Sequence, residues 1–351
     1  MTHWLQDRLG VAHPIIQAPM AGVSTPRMAA AVCAAGGLGS LGVGAASAEG
    51  AREMIRELQA LTTRPFNINL FCHEPAERDS AIEGRWLEAL APEFARFGAE
   101  APKALAEIYK SFLVDDAMLE VLLETRPAVV SFHFGLPDAA RIAALKEAGC
   151  VLLASATSVD SALACQAAGV DAVVAQGIEA GGHRGVFDPD AEDEALGTEA
   201  LVAQLVGVLE VPVIAAGGLM EGADIARVLG LGAVAGQLGT AFVASDESAA
   251  DADYRASLRD PACQPPVLTK TISGRPARCL QNALVGWGAA CTETVPAYPV
   301  TYDASKALMA AAKQAGASGY GAQWAGSGAM RARDGGAAEI MAQLVAELQA
   351  A

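Results

Sequence analysis

Short apolar runs recur along the chain, with amphipathic stretches between them. Eight of these runs read as strands: residues 15–18, 38–43, 66–71, 129–134, 151–155, 172–176, 213–216 and 233–238. Both faces of each run are apolar, as parallel strands covered by helices require. The intervening stretches carry helical spacing. Ile142, Leu145 and Ala148 share one face, and Gly149 then ends the pattern. Ile225, Val228 and Leu229 do the same before Gly230 and Gly232. Eight strand–helix units of this length predict an α/β fold, a (β/α)8 or TIM barrel rather than an open sheet.

Two segments interrupt the repeat. Residues 74–125 form an insertion rich in charge and helix formers. Residues 245–328 are irregular, with Pro261, Pro265, Pro266, Pro296 and Pro299, and are too long for a loop. They read as a smaller, mainly helical cap domain over the barrel mouth. The barrel itself is expected over residues 1–244, and residues 329–351 supply a helix that returns to it.

At 351 residues with 52% hydrophobic and 18% charged positions, the chain has ample material for a core. The net charge of −16 argues against nucleic acid, whose binding rests on Lys and Arg. It does not exclude a small anion, because local charges decide that. Apolar stretches are cut well short of a membrane span, and Asp7 and Arg8 stand where a signal peptide needs an apolar core. The expectation is a cytoplasmic protein without membrane or nucleic-acid partners. Seven scattered cysteines without a CxxC pair read as reduced thiols, and no ligand cluster suggests a metal.

The candidate chemistry lies at the C-terminal ends of the strands, where parallel α/β folds bind ligands. Gly37-Leu-Gly39-Ser-Leu-Gly42 has dinucleotide-fingerprint spacing, but a helix over 28–35 precedes it where the fingerprint needs a strand. It reads as a helix stop and a small-residue strand. Gly217-Gly218 closes the seventh strand and Gln237-Leu238-Gly239-Thr240 the eighth. Glycines there let backbone N–H groups approach an anion, and these are the loops that hold phosphate in such barrels. Asn69 and Gln176 end the third and sixth strands. Each needs hydrogen bonds, and a heterocycle edge or a loop backbone would serve equally. Met20 follows the first strand and is unremarkable as core.

The sixth strand runs into a glycine-rich loop with one histidine, QGIEAGGHRG, placing His183 beside Gly181, Gly182 and Gly185. His133 ends the fourth strand within SFHFG, so two groups that titrate near neutrality sit at the mouth. His3, His13 and His73 read as terminal or loop residues. Tyr109 lies in the insertion. Tyr254, Tyr298 and Tyr302 lie in the cap, with Lys306 one helical turn past Tyr302. These residues suit a small anion, and packing of the cap on the barrel would use them equally well.

PIIQAPMAGVSTPRMAAAVCAAGGLGSLG, TTRPFNINLF, SFHFG, QGIEAGGHRG, PVIAAGGL and GQLGTAF resemble, in that order, the motifs of bacterial class I nitronate monooxygenases, formerly 2-nitropropane dioxygenases. In the cap only scattered positions match, and Trp324-Ala-Gly-Ser327-Gly departs from the WAGQG of relatives. The resemblance implies non-covalent FMN in a TIM barrel with a substrate-binding cap. It makes Met20, Asn69, Gln176 and Gly181 flavin contacts, and Gly218, Gln237, Leu238, Gly239 and Thr240 phosphate and ribityl contacts. His183 becomes the active-site histidine, as hydrogen-bond donor or base, and His133, Tyr109, Tyr254, Tyr298, Tyr302 and Lys306 hold the substrate. The implied reaction is oxidation of an anionic alkyl nitronate, such as propionate 3-nitronate, with O2 to a carbonyl compound and nitrite, through a flavin semiquinone. The chain would act as monomer or homodimer. The alternatives are an NAD(P)H-dependent flavin reductase of quinones or enoyl-acyl carriers on the same fold, and a non-flavin phosphate-binding barrel.

Overall fold

The computed structural model describes residues 3–351. Eleven strands occur in chain order: β1 (Ile15–Gln17), β2 (Gly39–Gly42), β3 (Phe66–Phe71), β4 (Val129–His133), β5 (Val151–Ala156), β6 (Ala172–Gln176), β7 (Gly182–His183), β8 (Val213–Ala216), β9 (Ala235–Leu238), β10 (Val267–Thr269) and β11 (Ala277–Cys279). All but β7, β10 and β11 form one parallel sheet in the order β1-β9-β8-β6-β5-β4-β3-β2. The Gln17 amide donates to Leu38 (3.0 Å) and the Leu38 amide to Ile15 (3.0 Å), so β1 meets β2 and the sheet closes. The expected TIM barrel is thus observed, with each strand found within a few residues of its expected position.

Inside the sheet the side chains do alternate, but between two apolar environments. Val130 and Phe132 of β4, Leu152 and Ala154 of β5, and Val173 and Ala175 of β6 face the surrounding helices. Val129, Val151, Leu153, Ala172, Val174 and Ile214 fill the barrel interior. That double burial hides the period-two signal in the sequence. Leu5 of the helix Trp4–Leu9 joins the interior cluster, and Arg8 lies 3.8 Å from Asp171, just ahead of β6. This helix therefore closes the end of the barrel where the strands begin.

The helices start and stop where local chemistry requires. The Thr25 hydroxyl accepts from the Met28 amide (3.1 Å) ahead of Pro26–Ala34, and Asp138 accepts from Arg141 (2.8 Å) ahead of Ala139–Glu147. Each such cap contributes about 1 kcal/mol. Gly39 lies so close to the preceding helix that a Cβ would sit 2.1 Å from the Ala29 carbonyl oxygen. Its smallness serves helix–strand packing, which agrees with rejecting the dinucleotide reading.

The helix Asp116–Thr125 packs in the barrel's outer ring between Ala48–Leu61 and Ala139–Glu147. The helix Ser80–Arg96 packs instead on Val300–Gln314, and Trp86, Leu90 and Phe94 share a second core with Leu284, Val300 and Leu308. This second core sits apart from the barrel's own. The helix Ala337–Ala350 returns to the barrel between Gly222–Gly230 and Pro26–Ala34. The antiparallel sheet β10-β11-β7 ties the two units together, and in it His183 pairs with Ala277.

Candidate active site

Inward-facing positions change character along each strand. Near the starts of β4, β5, β6 and β8 they are aliphatic, whereas β2 and β3 place the hydrogen-bonded pair Ser40 and Asn67 inside. At the C-terminal ends they become Asn69, Ser131, His133, Ser155 and Gln176, and all five line one cavity of about 980 Å³. That volume is near the top of the range of about 300–1,000 Å³ usual for ligand pockets. The cavity lies between the barrel mouth and the second unit, whose Tyr254, Tyr298, Tyr302, Lys306 and Trp324 also line it.

Of the residues singled out in the sequence, the cavity is lined by His183, His133, Tyr109, Tyr254, Tyr298, Tyr302, Lys306, Met20, Asn69, Gln176, Gly181, Gly218, Gln237, Gly239 and Thr240. Leu238 is not among the lining residues. Its side chain is 1% exposed and faces the helix layer, while its carbonyl accepts from Ala18 (2.8 Å). Only backbone at Leu238 is near the mouth, because strand alternation turns its side chain outward between Gln237 and Gly239.

The His183 loop is held by side chains at the ends of two strands, β6 and β4, by its own Arg184 and by a turn of the second unit. Gln176 donates from Nε2 to the His183 carbonyl (3.0 Å), and its Oε1 accepts from the Gly185 amide (2.7 Å). The Gln176 amide is therefore engaged by the loop backbone, one of the two partners its position allowed. His133 Nε2 donates to the same His183 carbonyl (3.2 Å). Arg184 is 1% exposed. It pairs with Asp193 (2.7 and 2.9 Å) and donates to the carbonyls of Gln176 (3.0 Å) and Gly177 (2.9 Å). From the second unit, Ser273 Oγ lies 2.8 Å from His183 Nε2. Asn69 donates to the Ser131 hydroxyl (2.9 Å), and its own carboxamide oxygen makes no hydrogen bond among the described residues.

The glycines beside this loop are placed for close approach. At Gly181 a Cβ would stand 2.4 Å from the Gly326 nitrogen and 2.5 Å from the Ala325 carbonyl carbon, so two wall segments meet there. Gly217 and Gly218 have φ of +120° and +71°, conformations costly for other residues. Gly239 lines the cavity, and a Cβ there would meet Ala18 at 3.5 Å and Met20 at 3.6 Å, both ordinary contacts.

An aromatic cage surrounds His183. Ring centroids lie at 5.1 Å for Trp324, 5.5 Å for Phe134 and Tyr298, and 6.4 Å for Tyr302. Phe134 adopts φ +76°, a strained conformation worth about 1–3 kcal/mol. The Arg275 guanidinium sits 4.4 Å from the Phe134 ring centre, and Arg275 is 3% exposed. Lys306 Nζ lies 4.8 Å above Tyr109 and 5.5 Å above Tyr302. Lys306 puts a positive charge on the cavity wall and favours an anion there, whatever the net charge of the whole chain; Arg275 lies outside the lining, and Asp251, Asp253 and Lys313 also line the cavity. The Tyr254 hydroxyl donates to the Trp324 carbonyl and so anchors the wall.

Electrostatics follow from burial. Burial pushes His183 down to about 3, with the charges of His133, Arg275 and His73 adding to the effect. Burial lowers His133 to about 4, partly opposed by its bond to the His183 carbonyl. Both imidazoles are therefore neutral near pH 7. Burial lowers Lys306 and raises Tyr302 to about 12, so the tyrosine stays protonated.

The structure also brings in residues that the sequence did not single out. His73, read as a loop residue, is 1% exposed and stacks edge-on to Tyr298 at 4.9 Å. It lies two residues past β3, where Phe134 from the barrel and Tyr298 from the second unit pack against it. Ser273, Arg275, Trp324 and Tyr320 come from the second unit, where no periodic pattern marks a site. A candidate signal was the adjacency of Ser273, Gly274 and Arg275 in a proline-flanked turn, but nothing local points it at His183.

The fold and site together define a barrel enzyme whose ligand cavity opens at the strands' C-terminal ends beneath a second unit. Comparison makes this more specific. The family model for nitronate monooxygenase matches residues 3–347, and the chain belongs to that family; it is an oxidoreductase. It is 60% identical to the nitronate monooxygenase of Paraburkholderia phytofirmans, covering 97% of this chain and 93% of the relative. It is 52% identical to that of Pseudomonas aeruginosa, covering 99% and 100%. Among solved structures it is similar to a nitroalkane oxidase from Streptomyces ansochromogenes, with a TM-score of 0.91 at 41% identity, covering 99% and 98%. FabK from Thermotoga maritima aligns with a TM-score of 0.74 at 28% identity, covering 99% and 96%. No helix among the described residues is long and apolar enough to cross a membrane.

Proposed function

We propose that the cavity holds FMN and an anionic alkyl nitronate side by side, and that the chain catalyses oxidative denitrification of the nitronate with O2 to a carbonyl compound and nitrite. The observation that carries this reading is His183, neutral and caged by aromatic rings, facing a cavity whose wall carries the cation Lys306 beside Tyr109 and Tyr302. The residues present fit FMN. The unpartnered Asn69 oxygen and the glycine backbone at Gly218 and Gly239 in the cavity lining are what a polar flat ring and a phosphate tail need. Met20, Asn69, Gln176 and Gly181 would hold the ring. Gly218, Gln237, Gly239, Thr240 and the backbone at Leu238 would hold the tail. FMN, when bound, supplies the electron-accepting chemistry.

The chain's own residues bind, orient and exclude water. Lys306, Tyr109 and Tyr302 receive the charged end of a substrate such as propionate 3-nitronate, and Tyr298, Tyr254 and His133 shape the rest of the wall. Residues 245–328 form the cap that covers it. Protonating His183 in this surrounding is costly, so it serves as hydrogen-bond donor to the nitronate rather than as base.

The test is the visible spectrum of the purified protein, then O2 uptake with propionate 3-nitronate. His183→Asn should keep its flavin and lose about 10–100-fold in kcat/KM, the worth of one hydrogen bond to a charged group. Unchanged kinetics would remove His183 from the reaction. Rapid anaerobic bleaching by NADH, without O2 uptake on nitronate, would favour a reductase instead.

A further inference from the structure

The turn between β10 and β11 reaches His183 from the second unit. The Gly274 amide donates to the Lys270 carbonyl (2.8 Å), and Ile272 is anchored in the second core. Gly274, at φ +94°, lies so close to the chain before Tyr298 that a Cβ would stand 2.7 Å from the Tyr298 nitrogen. The turn is therefore fixed, and so is Ser273, which is fully buried.

Ser273 does not touch the cavity, yet its hydroxyl is the partner of the His183 ring. Oγ lies 2.8 Å from His183 Nε2 and 3.2 Å from the Arg275 carbonyl, and it accepts from the Arg275 amide (3.3 Å). One hydroxyl has one proton and two lone pairs. If the proton goes to the Arg275 carbonyl, Nε2 must donate to Oγ, and the bare Nδ1 is an acceptor. If the hydroxyl turns to donate to Nε2, the ring proton sits on Nδ1, which becomes a donor. Nδ1 makes no hydrogen bond among the described residues, so it is the nitrogen left for a ligand.

We propose that Ser273 is a positioning residue acting through His183: by turning its hydroxyl between the Arg275 carbonyl and His183 Nε2, it lets Nδ1 carry the proton that meets an anionic substrate. The inference deepens the nitronate reading and rests on it for the identity of the anion. No bond to carbon forms or breaks in the step; one proton changes ring nitrogen and one hydroxyl rotates. The anion in the cavity draws the Nδ1–H form, and Ser273 satisfies Nε2 in both forms.

The test uses the flavin-loaded full chain with 15N-labelled histidine, His183 being assigned by its loss in His183→Asn. In the wild type, adding the nitronate under anaerobic conditions should move the proton signature from Nε2 to Nδ1. In Ser273→Ala the free enzyme should show mixed tautomers, flavin content should be unchanged, and kcat/KM on nitronate should fall roughly tenfold, about one net hydrogen bond. Ser273→Thr, which keeps the hydroxyl, should restore the ring signature and most of the rate. Ring signatures identical in wild type and Ser273→Ala would overturn the proposal, even if activity fell, since the loss would then be merely structural. Altered signatures with unaltered nitronate turnover would also overturn it. Absence of nitronate turnover in the wild type would refute the proposed reaction, while the free-enzyme spectra still decide whether Ser273 sets the His183 tautomer.

Discussion

Replacing His73 by Phe isolates the cost of a buried imidazole. His73 is 1% exposed, and neither ring nitrogen has a hydrogen-bond partner of good geometry. Its neighbours are the rings of Tyr298 at 4.9 Å and Phe134 at 6.3 Å, both edge-on. Burial, and then the charge of Arg275, push it from 6.5 down to about 4. In the unfolded chain it titrates near 6.5. The folded pKa is the lower, so the pH-dependent cost of His73 is absent above pH 6.5 and only the fixed cost of burying its unpartnered nitrogens remains. As pH falls from 6.5 towards 4, the unfolded state takes up a proton that the folded state refuses. The wild type then loses up to about 3 kcal/mol through this one residue. His73→Phe removes that loss. Urea unfolding of both proteins at intervals from pH 8 to pH 4.5 should show the variant's relative stability constant above pH 7 and rising by about 1.4 kcal/mol per pH unit below 6. Any packing change from the larger ring is independent of pH, so the slope alone carries the answer. A stability difference that stays flat across the range refutes the claim that His73 is held neutral by burial.

Two further outcomes follow from the site. Lys306→Met removes the cation over Tyr109 and Tyr302. It should raise KM about 10–100-fold for a nitronate carrying a carboxylate and leave an uncharged-tail nitronate nearly unaffected, which comparative steady-state kinetics would check. Gly181→Ala forces a methyl to within 2.4 Å of the Gly326 nitrogen. Backbone must shift on one side, costing about 1–3 kcal/mol, and the purified variant should melt earlier and retain less flavin by absorbance.

The sequence alone determined the barrel. Strand and helix periodicity is local, and so are its stops: Gly149 and Gly232 take φ of +90° and +102° where the helical pattern was read to end. The mouth was legible too, because polar residues at strand ends inside apolar runs have nowhere else to go; Asn69, His133 and Gln176 all line the cavity. Leu238 shows the resolution of such reading, since a contiguous motif cannot say which of its side chains alternation turns away.

What only the tertiary structure decided is the environment of those residues. His183 and Ser273 lie 90 positions apart, in segments that meet because β7 pairs with β11. His73 looked like a loop residue until Phe134 and Tyr298 packed against it, and Arg275 had no visible task until its charge lay against Phe134 and the histidines. The physical reason is the same in each case. A protonation state depends on desolvation and on charges within a few ångströms, and those neighbours come from chain segments whose separation in sequence has no period.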